Sequence, residues 1–524
     1  MASSTSLLLT MPLEVLLSIS HYLTTPDYCN LRRSCKHIEA SLHSSFAKEY
    51  FSKRQFILTE FSLQALIDIS RSKFSPYLTH VILAAERPVW RRPHAFAAVD
   101  STSEATRRLR MRQEYSSHIN LINFSQDLEM LADAFAHLPN LETIGIRDFN
   151  SRSRFRDHPL VEWRSYGANT YQRDTGLALA RPDTTPVFGH MSPQLALDNN
   201  WPWYEARLFG TLLQALGKSG SKPKGFEVIL RNIGLFDVAF NLPRFFEPLT
   251  DPVLARLETL FLDLSDDQIP AMTRSGSDQI PSDCTNYLLR TFLLKLPALS
   301  SLRLNFAKRD HHRTCDFLSW LASPLPLSTV AASTAATLAG SMQRTEPDAD
   351  ADASIDLSPP PPVVFSALKQ LDLGKAMISI DVLTDLVNKY KGSLQGLSFY
   401  DVTLMGADAA GSSGSGSGRV NLWAKALRHF IKSDVALKSL RVDRLSQDHG
   451  PSLQTLIVRF NDTARSRIWR GQDKENGLKE MANSMVIDWP DSEDESMDDS
   501  DEMGSDEDSD NDDDDDDDDD DDGE

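Results

Sequence analysis

The chain has 524 residues, room for one extended or two to three compact domains, and its 41% hydrophobic content suits a real core. Its net charge is −21, but 24 acidic side chains and no basic one lie in 491–524, which leaves the first 490 residues at +3. That near-neutral body argues against nucleic-acid binding. Four cysteines (Cys29, Cys35, Cys284 and Cys315) in so long a chain argue against a disulfide framework, and no apolar run reaches the ~18–20 residues of a membrane span. The opening LLLTMPLEVLL lacks a basic flank and a small-residue cleavage pattern and contains Pro12 and Glu14, so it does not read as a secretory core. The expected location is cytoplasmic or nuclear.

The first predicted elements are two or three short helices within 11–42. Pro12 suits a first helical position, where its missing N–H would be unpaired anyway, and Glu14 sits where the helix dipole favours a carboxylate. Val15, Leu16, Ile19, Tyr22 and Leu23 fall on one apolar stripe. Thr24-Thr25-Pro26 stops that helix and Asp27 caps the next, along which Leu31, Cys35, Ile38 and Leu42 continue the pattern. Roughly forty residues bury too little surface to stand alone comfortably, so a partner is implied.

These residues resemble the F-box: a Leu-Pro (here Met11-Pro12), Glu14, the aliphatics Val15, Leu16 and Ile19, Tyr22-Leu23, Pro26-Asp27, Leu31 and Cys35-Lys36. Met11 for Leu, and Ile38 where an aromatic is common, depart from the pattern. The resemblance implies binding to a Skp-family adaptor and, through it, to a cullin scaffold. It puts Pro12, Glu14, Val15, Leu16, Ile19, Tyr22, Leu23, Leu31 and Cys35 at or near the adaptor surface. The rest of such a chain selects a protein substrate.

Farther along, one form recurs: apolar-x-x-apolar-x-apolar. It begins at Leu141, Leu257, Leu299, Leu368, Leu394 and Leu437, with Leu78, Val81 and Leu83 as an earlier copy. This is similar to the strand signature of leucine-rich repeats, and helical stretches precede several copies. From Leu299 to Leu368 is 69 residues, of which 39 are the Pro/Ala/Ser/Asp-rich 324–362, leaving 30. From Leu394 to Leu437 is 43, and the Gly/Ser-rich 406–418 removes 13, again leaving 30. Leu368 to Leu394 is 26. The Asn that often follows the strand in that family is absent, with Lys375, Asp401 and Asp443 standing near its place, so a partly broken horseshoe is expected. Residues 84–125 and 147–225 fit no repeat and read as insertions. In the second, Trp201-Pro-Trp-Tyr204 reads as a loop anchored in the core, with a binding patch as the alternative.

No P-loop, HExxH or GxSxG is present, so no catalysis is assigned, and no cofactor. His311, His312 and Cys315 lack a second ligand pair at zinc spacing and read as a solvated loop. Arg87, Arg91, Arg92, Arg107, Arg108, Arg110 and Arg112 form a basic stretch that reads as solvated, an import signal or a weak nucleic-acid contact. The like charges of the terminal run repel and have no apolar material to bury. Within it Ser492, Ser496, Ser505 and Ser509 each precede an acidic residue by three, the pattern acidophilic kinases prefer.

The expected architecture is α/β: 1–9 disordered, an F-box over 10–52, a leucine-rich-repeat-like solenoid over 53–323 and 363–470, a disordered linker at 324–362, and a disordered acidic tail over 471–524. The expected function is a non-catalytic substrate receptor of an SCF-type (Skp–cullin–F-box) ubiquitin ligase. The alternative is a scaffold or acidic chaperone for basic proteins such as histones.

Overall fold

The computed structural model describes residues 8, 10–89, 102–151, 156–157, 161–180, 201–232, 234–265, 286–306, 311–324, 360–406, 420–433, 435–449 and 454–489. Most of 324–362 and 406–418, and all of 491–524 with Ser492, Ser496, Ser505 and Ser509, lie outside them. Residues 1–487 form one unit and 488–524 a second, of which only Asp488 and Trp489 are described.

Four helices open the chain: α1 (Leu13–His21), α2 (Thr25–Ser34), α3 (Lys36–Ser41) and α4 (His43–Phe51). Strands and helices then alternate through β1 (Lys53–Ile57), α5 (Glu60–Ser70), β2 (His80–Ala84), α6 (Thr102–Asn123), α7 (Gln126–Ala136) and β3 (Thr143–Arg147). Next come α8 (Ala168–Thr175), α9 (Trp201–Ser219), β4 (Gly225–Ile229), α10 (Glu247–Leu254), β5 (Thr259–Asp263), α11 (Tyr287–Leu293), β6 (Ser301–Asn305) and α12 (His311–Ala322). From β7 (Gln370–Gly374) onward a short second strand follows each long one: β8 (Met377–Ser379), α13 (Ile380–Lys389), β9 (Gly396–Tyr400), β10 (Thr403–Met405), α14 (Leu422–Lys432), β11 (Ser439–Asp443) and β12 (Ser446–His449). The described chain closes with β13 (Gln454–Phe460), β14 (Ser466–Arg470), α15 (Lys474–Ser484) and β15 (Met485–Ile487).

Ten long strands make one sheet in the order β1-β2-β3-β4-β5-β6-β7-β9-β11-β14. Every pair is parallel except β11–β14, where β14 returns antiparallel. Each apolar-x-x-apolar-x-apolar segment becomes one of these strands, and the register stacks like on like. Leu83, Ile146, Val228, Leu262, Leu304, Leu373, Phe399 and Val442 form one continuous row, all buried. Side chains alternate across a strand, so the intervening residues face the other way: Glu227, Phe261, Arg303, Asp372, Ser398 and Arg441 are neighbours there.

Helices cover the apolar side, α5 on α7, α7 on α9 and α9 on α10, then α12 on α13, α13 on α14 and α14 on α15. Gly217 of α9 lets α10 in close, since a Cβ there would collide with the backbone of Leu249. After β7, β9 and β11 the chain turns at Lys375 (φ 51°), Asp401 (φ 52°) and Arg444 (φ 48°). The first two donate their amides to Tyr400 and Asp443 at the ends of the adjacent strands, at 2.8 and 2.9 Å. The short strands after these turns, β8, β10 and β12, join β13 and β15 in a second sheet, β15-β13-β12-β10-β8.

Several expectations are corrected here. Trp201-Pro-Trp-Tyr204 opens helix α9 and Tyr204 is buried, because the apolar spacing Tyr204, Leu208, Phe209, Leu212, Leu216 continues without a break. Residues 311–322 are a helix, not a solvated loop, held by buried Phe317, Leu318 and Leu321. The insertions carry elements of their own: α6 in the first, α8 and α9 in the second. Residues 474–487, expected to belong to the tail, form α15 and β15, because Leu478, Met481, Ala482, Met485 and Ile487 supply a buried face. Strands β1 and β4, KRQFI and GFEVI, had no recognised repeat signature.

Candidate functional site

Helices α1–α4 close on a small core of Leu16, Tyr28, Ile38, Leu42 and Tyr50, with Met11, Leu17, Leu23, Leu31, Cys35, Phe46 and Phe51 packed around it. Local chemistry sets their ends. Thr24 accepts the Asp27 amide at 3.4 Å and returns its hydroxyl to the Asp27 carboxylate at 2.7 Å, capping α2. Pro26 sits in the first turn of that helix. Cys35 Sγ accepts the Ile38 amide at 3.5 Å at the start of α3. Arg32 lies flat on Phe46, 3.4 Å from the ring centroid, and donates to Glu39 at 3.3 Å. Glu39 also takes Lys73, whose hydrogen bond holds its carboxyl below the usual range. Burial pushes the Tyr50 hydroxyl up to about 12, and that hydroxyl pairs with Thr25 at 3.1 Å.

The single apolar stripe read from α1 is two stripes. Leu16 faces inward at 1% exposed, with Leu17 and Leu23 half-buried beside it. Val15, Ile19 and Tyr22, spaced i, i+4, i+7, face outward at 43%, 37% and 85%, with Leu13 at 45% and Pro12 and Glu14 exposed next to them. Leu31 and Cys35 are half-buried at the rim of the core. The structure thus brings Pro12, Glu14, Val15, Ile19 and Tyr22 onto one outward face. Leu16 does not belong there: it is a core residue, because a helix of nine residues offers one face to α2–α4 and the other to solvent. An exposed run of large apolar side chains, rimmed by Glu14 and His21, is what a protein-docking face requires.

This helical unit is seated on the sheet rather than hung from it. Phe51 stacks on Phe74 at 4.2 Å with planes 6° apart, and His43 lies 5.1 Å from the same ring. The carbonyl of Ser52 accepts the Thr79 and His80 amides at 3.1 and 2.9 Å. Trp163, from the second insertion, packs 5.7 Å from Tyr50. Sequence reasoning missed Trp163 because it lies over a hundred positions from the ring it covers.

The polar side of the large sheet is a second surface. Asp263 accepts the Leu230 amide and the Asn305 side chain, both at 2.7 Å, and burial pushes its carboxyl up to about 6. Asp372, between Arg303 and Arg441, is also raised by burial. His80 stands 3.5 Å from Glu227, and burial drives its ring well below the usual value.

Elsewhere, Cys315 donates its thiol to the Met377 carbonyl at 3.3 Å, and burial pushes that thiol up to about 11, so it is protonated at neutral pH. Among the described residues no three His, Cys, Asp or Glu side chains group as metal ligands, and no helix is long and apolar enough to cross a membrane. Of the basic stretch, Arg87 is buried over the Tyr204 ring at 4.7 Å, Arg107, Arg110 and Arg112 are exposed on α6, and Arg91 and Arg92 lie outside the described residues.

Compared with known families, residues 8–45 match the F-box domain, a span that runs from just before α1 into α4. Among curated proteins no significant match to the chain is found. F-box domains bind the Skp adaptor of SCF complexes, and such proteins are typically non-catalytic.

Proposed function

We propose that the chain is the substrate-receiving subunit of a Skp–cullin–F-box ubiquitin ligase. The observation that carries this is the outward stripe Val15–Ile19–Tyr22 on the first helix of an F-box domain whose inward stripe is fully used by its own core. A helix that has satisfied its packing and still exposes three large apolar side chains has a face left for a partner. The chain supplies no chemistry to ubiquitin transfer; it holds the adaptor at one end and a protein target at the other, in the cytoplasm or the nucleus.

The target side is the large sheet. We read its strand–helix alternation, with spacings of 26 and 30 residues once the low-complexity segments are set aside, as irregular leucine-rich repeats. Their polar face, from Glu227 through Arg303 and Asp372 to Arg441, is the substrate surface in this reading. Co-purification of the adaptor and cullin with the full chain, lost on replacing Val15, Ile19 and Tyr22, tests the proposal.

A second reading rests on the 24 acidic side chains of 491–524. A scaffold or acidic chaperone would hold basic proteins such as histones through that run, and its grip would fall steeply with salt, since the screening length drops from about 8 Å at physiological ionic strength to about 3 Å at 1 M. Capture of histones that needs 491–524 and occurs without the cullin favours it.

A further inference from the structure

The stretch after β3 lies outside both the F-box match and the large sheet. Its described residues are nonetheless tied to one another. Ser151 and Trp163 exchange backbone hydrogen bonds at 3.2 and 3.1 Å. Asn150 donates to Glu162 at 2.7 Å, and the Trp163 indole donates to Asp157 at 2.8 Å.

Arg156 and Trp163 each reach into the helical unit. Trp163 adds its ring to the core beside Tyr50. Arg156 goes deeper, with its side chain 3% exposed. Its guanidinium lies 4.4 Å from the centroid of Tyr28 in α2. Its Nε donates to Glu49 of α4 at 2.6 Å. Its Nη1 donates to the carbonyls of Ser20 and, at 3.3 Å, Leu23, at the end of α1. The Ser20 carbonyl, which also takes the Leu23 amide at 3.2 Å, lies in the last turn of α1 and Leu23 just beyond it, at the negative end of the helix dipole, so a buried guanidinium there is both a further donor and a counter-charge. Its planar fork is pre-organised to reach α1 and α4 at once.

We infer that Arg156 is a positioning residue for the adaptor surface, so that the unit capturing the adaptor is α1–α4 together with Arg156 and Trp163. The carbonyls it holds flank Ile19, in the last turn of α1, and Tyr22, the residue that ends it. Without Arg156 the end of α1 frays and those two side chains no longer stand in one fixed relation to Val15. The inference rests on the adaptor-binding reading for its consequence, though the hold on α1 is testable apart from it.

The test compares the full chain with Arg156→Ala and Arg156→Lys by amide hydrogen exchange and by calorimetric titration with a purified Skp-family adaptor. Charge-assisted hydrogen bonds of this kind correspond to roughly tenfold to a hundredfold in an equilibrium. Arg156→Ala should therefore speed exchange of the α1 amides at least about tenfold, leave the β5–β7 amides unchanged, and weaken adaptor binding by a similar factor. Arg156→Lys, which keeps the charge and folds with less disturbance, should fall between. Unchanged α1 exchange in both variants overturns the inference, and so does acceleration spread evenly over α1 and the sheet, which would mark general destabilisation. If the wild-type chain does not bind the adaptor, the functional proposal fails while the exchange data still decide the role of Arg156.

Discussion

Replacing Val15, Ile19 and Tyr22 together by serine should abolish adaptor binding without disturbing the fold. Fully burying a large apolar side chain is worth roughly 1.5–3 kcal/mol. The exposed fractions, 43%, 37% and 85%, set what each still has to bury. Scaled that way, Val15 and Ile19 contribute about 1 kcal/mol each and Tyr22 about 2, together about 4 kcal/mol or three decades in Kd. All three face solvent in the free chain, so the melting midpoint should barely move; exposed substitutions usually stay within about 0.5 kcal/mol. Leu16→Ala is the opposite control. At 1% exposed it should cost about 2–5 kcal/mol of stability and remove binding only by loosening the helices. Titration calorimetry with the adaptor, paired with thermal melts, separates the two. A triple variant that binds within threefold of wild type refutes the assignment of this face.

Other outcomes follow from particular contacts. Burial pushes the Glu205 carboxyl of α9 up to about 7 from an ordinary 4.5, so the folded chain holds that proton more tightly than the unfolded one. Its contribution is present below about 4.5 and lost as pH rises through 7, so Glu205→Gln should stabilise the protein at pH 8 by something on the order of 3 kcal/mol and much less at pH 4.5; melts showing equal shifts at both pH values contradict this. Gly217→Ala should destabilise by about 1–3 kcal/mol despite alanine's better helix propensity, because its methyl meets the Leu249 backbone of α10; a raised midpoint would show that α10 yields. Leu478→Ala in α15 should cost about 2–5 kcal/mol, as for any fully buried leucine, and a neutral result in denaturant unfolding would return that segment to the tail.

Much of the strand framework was legible because the sheet is parallel and covered by helices on one side, so a core strand shows as alternating leucines at a fixed offset. Leu257-Leu260-Leu262 and Leu299-Leu302-Leu304 carry that signal plainly. β1 and β4 do not: Lys53-Arg54-Gln55 starts with three polar residues, and Gly225-Phe226-Glu227 opens on a glycine that a period-two scan discards. α15 was hidden by its neighbours, since Lys474, Glu475, Lys479 and Glu480 surround the three buried residues that anchor it. At the candidate site the residues were readable and their directions were not. Leu16 and Val15 are adjacent in sequence and equally apolar, and only the positions of α2–α4 decide which turns inward. Arg156 carried no local signal at all, because its role comes from carbonyls more than 130 positions earlier.

The measurement that bears most directly on the whole account is the mass of the species formed when the purified full chain is mixed with a Skp-family adaptor and a cullin. The account predicts a 1:1:1 complex that persists at high salt, since apolar burial holds the adaptor, and that is absent for the Val15/Ile19/Tyr22 triple variant. A chain that stays free of both proteins at micromolar concentration, while its α1–α4 unit is folded, would contradict it.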